Sequence, residues 1–258
     1  MNSRERMLAA INRQPVDRIP TDIWATPEVW TKLRDHFGDE TDITRALHID
    51  RFGNAGPVFA GPEYIGPVLP RVPEDETINY WGIRTRRVPH EGGVYEEQFF
   101  SLLATCRTID DLEKYAWPNA AWFDYSNMKA KAQDAAKNKA VQCGYMAPFL
   151  FHNLLRGLEQ SLVDPLLDPE FTHYLIGRIS DFFYDQHRRM FEACDGLIDV
   201  AQVTDDLGSQ TGPLISMDLY QEFYAPHHKR FIDLFATSLG SRSSTMTMAV
   251  AVLFSRYW

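Results

Sequence analysis

Apolar positions in this chain follow two rhythms that trade places, short unbroken runs and longer stretches at helical spacing. Met7, Leu8 and Ile11 form a stripe behind Ser3, a residue able to cap a helix, and Pro15 stops it. Ile19 to Trp24 then reads as a first strand carrying Asp22 near its carboxyl end. Thr26-Pro27-Glu28 supplies a cap, a first-turn proline and an acid at the positive end of the helix dipole, so a helix through Val29, Trp30 and Leu33 is predicted to end near Gly38. Ala140 to Met146 is a buried strand, and Phe149 to Val163 a helix with Leu154, Leu155, Leu158 and Leu162 on one side. Asp168-Pro169-Glu170 opens the longest helix, whose core face runs from Phe171 to Phe191, with Gly196 as its end. Strand Leu197 to Val203 follows at once; Ser216 caps a further helix, and a last one runs from about His227 to Leu239.

This βα alternation predicts an α/β fold, a (β/α)8 TIM-type barrel with polar groups at the carboxyl ends of its strands. Between Gly53 and Gly93 the chain is instead dense in Gly and Pro, with short alternating runs such as Ile83 to Val88. Residues 53–105 read as a hairpin-rich excursion from the main sheet and a candidate lid. Thr108 followed by Asp110 and Asp111, with Pro118 closing, fits a short surface helix.

With 258 residues, 45% hydrophobic and 13% aromatic, the chain can bury one large core. Its formal net charge of -9 disfavours a nucleic-acid partner, because such binding rests on clustered Lys and Arg. Cys106, Cys143 and Cys194 are odd in number and widely spaced, which supports neither a disulfide framework nor a local zinc knuckle. No run approaches the roughly 18 apolar residues of a membrane span and the start carries charges of both signs, so the expected setting is cytoplasmic, away from membranes.

The segment Ile198 to Ser216 is the richest in chemistry, because a buried-strand pattern runs straight into Asp205, Asp206 and the Gly208 turn. A loop at a strand end can turn both acids toward a pocket, where they bind a cation, orient N–H groups or exchange a proton. The alternative is that one carboxylate caps a turn. Asp22 follows the same logic on the first strand, while Trp24 fits a core. Tyr145, His152 and Arg156 could reach a substrate anion, or serve respectively as a wall residue, a helix-terminal hydrogen-bond partner and an ion-pair member. Gln210 completes the candidate substrate contacts. His227 and His228 diverge by roughly 100° on a helix and cannot jointly face one metal, which makes them solvated residues in this reading.

Three stretches together resemble the uroporphyrinogen decarboxylase superfamily, which includes corrinoid-dependent methyltransferases. They are Arg4 to Asn12 with Asp17-Arg-Ile-Pro-Thr-Asp22; Thr108 to Pro118; and the run from Leu154 through Phe235, within which Thr204 to Ser216 is the most specific. The resemblance implies a (β/α)8 barrel with its pocket at the carboxyl ends of the strands. Porphyrinogen decarboxylases carry an arginine-rich segment after the first strand to hold substrate carboxylates, whereas this chain reads Asp22-Ile-Trp-Ala-Thr-Pro27. The chain is therefore more similar to the methyltransferase-like branch. Zinc enzymes of the family hold their metal with a His-x-Cys pair and a later Cys beyond the point where this chain stops matching, and Cys194 fits packing better than coordination.

Residues 241–258 differ from everything before them and contain no acid. Read in an alternative frame, Met246-Thr247 forces Asp and Met248-Ala249 forces Gly, which accommodates the His-His-Asp-Asp-Gly strand end of that branch. The expectation is a partial barrel domain over 1–240, truncated by a frame slip near Gly240 and followed by an out-of-frame tail; the alternative is a native, divergent tail. The first functional expectation is an enzyme transferring a methyl group between a small-molecule substrate and a corrinoid on a partner protein, with Asp205 and Asp206 as pocket acids and no tightly bound cofactor. The alternatives are cofactor-independent decarboxylation of a porphyrinogen, and a non-catalytic fragment prone to recruit a second copy as a homo-oligomer.

Overall fold

The computed structural model describes residues 1–23, 25–54 and 61–238; Trp24 and the 241–258 tail with its frame-slip reading lie outside them. The fold is α/β. In chain order come helices α1 (Ser3–Ile11), α2 (Pro27–Phe37) and α3 (Ile43–Ala46), then strands β1 (Gly53–Asn54), β2 (Glu63–Tyr64), β3 (Glu76–Ile78), β4 (Arg84–His90) and β5 (Gly93–Phe100). Helix α4 (Ile109–Glu113), strand β6 (Phe123–Asp124), helix α5 (Met128–Ala136) and strand β7 (Val141–Met146) follow. Helices α6 (Pro148–Arg156), α7 (Leu158–Leu167) and α8 (Pro169–Cys194), strand β8 (Val200–Val203), and helices α9 (Met217–Phe223) and α10 (Ala225–Ser238) complete the described chain.

The central sheet is parallel, in the order β1-β7-β8. Helices α5, α8 and α10 pack on it, and the buried Cys143, Phe191, Phe231 and Phe235 join them into one core. Tyr145 and Gln202 pair across β7 and β8, and Gln142 donates to Gln202 at 2.8 Å; all three are half-buried. The register slips between Gln142 and Tyr145. Gly144 sits there at φ 105°, where an added Cβ would press on His187 and Phe231 at 3.2 and 3.3 Å. The Tyr145 N–H donates to Nε2 of the buried His187 at 2.9 Å, so a core imidazole supplies the acceptor.

The excursion forms an antiparallel β3-β4-β5 sheet, while β2 pairs with β6. Trp81 and Phe123 anchor this region against Phe182 and Phe183 of α8. The tip reaches α2, where the Val94 N–H donates to Glu28.

Among the described residues the parallel sheet has three strands and does not close, so the eight-stranded barrel is not complete there. The expected strand over Ile19–Trp24 is irregular in its described part, residues 19–23. Pro20 lacks an N–H, and Thr21 bonds locally to Asp50 through both its N–H and its carbonyl, leaving no ladder to extend. The single helix expected over Phe149–Val163 is two, because Gly157 at φ 86° and ψ 143° ends α6 and begins α7. Asn2, not Ser3, caps α1, in a reciprocal capping box with Glu5.

Helix α1 packs at the amino end of the sheet. Arg4 forks onto Asp199 at 2.5 and 2.9 Å and donates to the Lys139 carbonyl, while Asp199 accepts the Val141 N–H at 2.7 Å. Beside it Arg6 pairs with Asp17 and the buried Asp50. The amino ends of β7 and β8 are thus tied to α1 by satisfied ion pairs.

Candidate functional site

Thr204 prolongs the ladder by donating to the Met146 carbonyl at 2.9 Å, so Asp205 leaves β8 level with the end of β7. There the chain turns from Ala147 into Pro148 at the start of α6, a helix with no side-chain cap of its own. Its first-turn N–H groups at Phe149 and Leu150 donate to the two Asp205 oxygens at 3.0 and 2.9 Å. Asp205 therefore acts as a cap supplied from another element. His228 of α10 meets the same carboxylate, Nε2 to Oδ2, at 2.8 Å. Burial raises the Asp205 carboxyl above its usual range, against the lowering effects of His228 and the two backbone N–H groups. The two backbone N–H groups and the facing imidazole offset part of that desolvation.

The imidazole of His228 bridges two groups. The other ring nitrogen, Nδ1, lies 3.1 Å from the Tyr220 hydroxyl of α9. Burial, then the charge of Asp205, pushes the Tyr220 phenol up. Next to this chain, Tyr224 shares a hydrogen bond of 2.8 Å with Nδ1 of His152. His152 is fully buried and desolvation lowers it to about 4, so it is neutral; its Nε2 has no partner among the described residues. His228 is buried rather than solvated, which corrects the sequence reading: its partner stands 23 residues away on another element. Sequence reasoning missed Tyr220 and Tyr224 altogether, although polar rings at 220, 224 and 228 are spaced four apart, the spacing of one helix face.

Asp206 differs from its neighbour. It is half-buried, and one carboxylate oxygen is buried without a hydrogen-bond partner among the described residues. The next residue, Leu207, packs with Phe149, Phe223 and Tyr224. The loop then folds on itself through Ser209 to Gly212 and Leu214 to Leu207, leaving Gln210 exposed at its tip.

The remaining candidates are dispersed. Tyr145 stands on β7 opposite Gln202, near the same sheet end. Arg156 points inward, donating to Asp164 at 2.5 Å and to the carbonyls of Leu103 and Cys106, so its guanidinium ties α6 to α7 and the 101–106 turn instead of facing a pocket. Asp22 is exposed and accepts the N–H of Ile23. The Cys143 thiol is hydrogen-bonded to Cys194, and this bond together with burial pushes it well above its usual range. Among the described residues no three His, Cys, Asp or Glu side chains stand together as a metal site.

No family model matches the chain, and no curated protein sequence matches it. Among solved structures it is similar to a methyltransferase from Methanosarcina mazei, at 15% identity and a TM-score of 0.49, covering 93% of this chain and 68% of that one. No helix of the described residues is long and apolar enough to cross a membrane.

Proposed function

We propose that this chain is an enzyme of the uroporphyrinogen decarboxylase kind, built on a (β/α)8 barrel plan, that moves a methyl group between a small molecule and a corrinoid held by a partner protein. The observation that carries the reading is the division of labour between adjacent acids at the carboxyl end of β8. Asp205 is consumed in holding α6 and His228, whereas Asp206 keeps a buried acceptor oxygen without a partner among the described residues. A buried carboxylate oxygen left unmet is costly, so the site favours a ligand that brings an N–H, an O–H or a positive charge to it. That preference suits a small protonated or hydroxylic methyl donor better than a porphyrinogen with its many carboxylates. The segment 22–27 also lacks the cations that such a substrate needs. A corrinoid, when bound, would supply a nucleophilic metal for the methyl group; Asp206 would bind and orient the donor, and Asp205 holds the start of α6.

The test is to incubate the protein with cob(I)alamin and panels of methylated amines, alcohols and phenolic ethers, following loss of the cob(I)alamin absorbance. Donor-dependent loss is expected with one class, falling by at least about 10-fold in Asp206→Asn, because one charge-assisted contact is worth about 1.4 kcal/mol or more. Inertness toward every donor, together with carbon dioxide release from a porphyrinogen, would replace methyl transfer by decarboxylation.

A further inference from the structure

We propose that Asp205, His228 and Tyr220 form a carboxylate–imidazole–phenol relay that makes the Tyr220 hydroxyl a nucleophilic, proton-exchanging group at the carboxyl end of the sheet, suited to a small hard electrophile such as an acyl or sulfonyl centre. Three observations carry it. The chain of contacts is continuous, at 2.8 Å from Asp205 Oδ2 to His228 Nε2 and 3.1 Å from His228 Nδ1 to the Tyr220 oxygen. The inner two members are shielded while the outer one is less so: the side chains of Asp205 and His228 are 0% and 5% exposed, and Tyr220 is half-buried. Finally, the N–H groups of Phe149 and Leu150 hold the carboxyl group at the head of the chain, which favours an imidazole that donates from Nε2 and turns Nδ1 toward the phenol.

A carboxylate that orients an imidazole, which in turn faces a hydroxyl, is the general arrangement for activating a weak oxygen nucleophile. As the Tyr220 oxygen attacks, its O–H bond breaks and the proton forms an N–H bond at His228 Nδ1. The electron pair left on oxygen makes the new bond, and Asp205 balances the resulting imidazolium. With a sulfonyl fluoride the O–S bond forms, the S–F bond breaks, fluoride leaves with its electron pair, and His228 later returns its proton to water. Contacts that merely pinned α9 to α10 would hold Tyr220 in place without making it react faster than other tyrosines. The relay goes beyond the methyl-transfer reading and does not depend on it: absence of methyl transfer would leave a reactive Tyr220 intact, so the two fail separately.

The protein is treated with an aryl sulfonyl fluoride, and the modified tyrosines are quantified by peptide mass spectrometry, with Tyr95, 62% exposed, as internal reference. Tyr220 is expected to react at least about 10-fold faster than Tyr95, the low end of what a positioned base contributes, and to fall to the Tyr95 rate or below in His228→Gln. Nitrogen-15 NMR of the wild type is expected to show neutral His228 protonated at Nε2 with Nδ1 as acceptor. Equal rates at Tyr220 and Tyr95, an unchanged Tyr220 rate in a folded His228→Gln protein, or neutral His228 protonated at Nδ1 would each overturn the relay. If His228→Gln does not fold, the wild-type rate ratio and tautomer decide on their own.

Discussion

Histidine takes three roles in this chain, and its surroundings decide each one. His187 accepts from Tyr145 at Nε2 and therefore donates from Nδ1 to the Phe183 carbonyl at 2.6 Å; both ring nitrogens are used, and the ring repairs the ladder at Gly144. His152 has one nitrogen bonded and one without a partner among the described residues, while His228 bridges a carboxylate and a phenol. Burial lowers His187 and His152 to about 4 each, so the folded chain resists protonating them whereas the unfolded chain protonates them near 6.5. Because the folded value is the lower one for a base, the unfolded state binds more protons between those limits. Stability is therefore complete above about pH 6.5 and lost as pH falls toward 4, by about 2 kcal/mol per histidine between pH 7 and pH 5. Urea midpoints measured across that range should drop, and His187→Gln, though less stable at pH 7, should show a shallower slope. An equal slope in the variant would mean that His187 is not held neutral.

At the scale of elements, the capping chemistry was legible and the breaks were not. Thr108 with Asp111, Asp168 before Pro169, and Ser216 cap helices through their side chains where the sequence places them, and Pro27 opens α2 although the Thr26 side chain makes no cap bond. The strands over 140–146 and 197–203 were visible as apolar runs and form β7 and β8. Two failures have one cause. Gly157 interrupts an unbroken leucine periodicity, and Pro20 interrupts an apparent strand, because backbone geometry and distant partners override side-chain pattern. The candidate site divides the same way: paired acids before a glycine turn stand out in the sequence, but that Asp205 caps α6 depends on a contact across 56 residues. Gly157 provides the element-scale test. Its φ of 86° with ψ of 143° is open to glycine and strained for alanine, and a Cβ there would approach Ser101 Oγ at 3.3 Å. Gly157→Ala is expected to cost about 1–3 kcal/mol in chemical denaturation. A neutral outcome would show that α6 and α7 can fuse into the continuous helix that the leucine pattern implies.

Across the whole molecule the two ends of the parallel sheet are built from different chemistry. The amino end is closed by arginine–carboxylate pairs that tie α1 to β7 and β8, contacts fixed in geometry and already satisfied. The carboxyl end carries imidazoles, phenols and an acid whose remaining acceptor capacity is unmet among the described residues. Such a separation lets stability and chemistry vary independently, since a substitution at one end shares no partner with the other. Arg4→Ala isolates the effect. It removes the fork onto Asp199 and leaves that carboxylate, only 15% exposed, bonded to the Val141 N–H alone among the partners seen here. Loss of one partner of a mostly buried ion pair should cost about 2–3 kcal/mol, read as a lower midpoint in denaturant. The Tyr220 labelling rate, which reports the opposite end, should stay at the wild-type value under native conditions. A labelling rate that fell along with stability would show the sheet transmitting strain from α1 to α9 and α10, and the two ends would then be one cooperative unit.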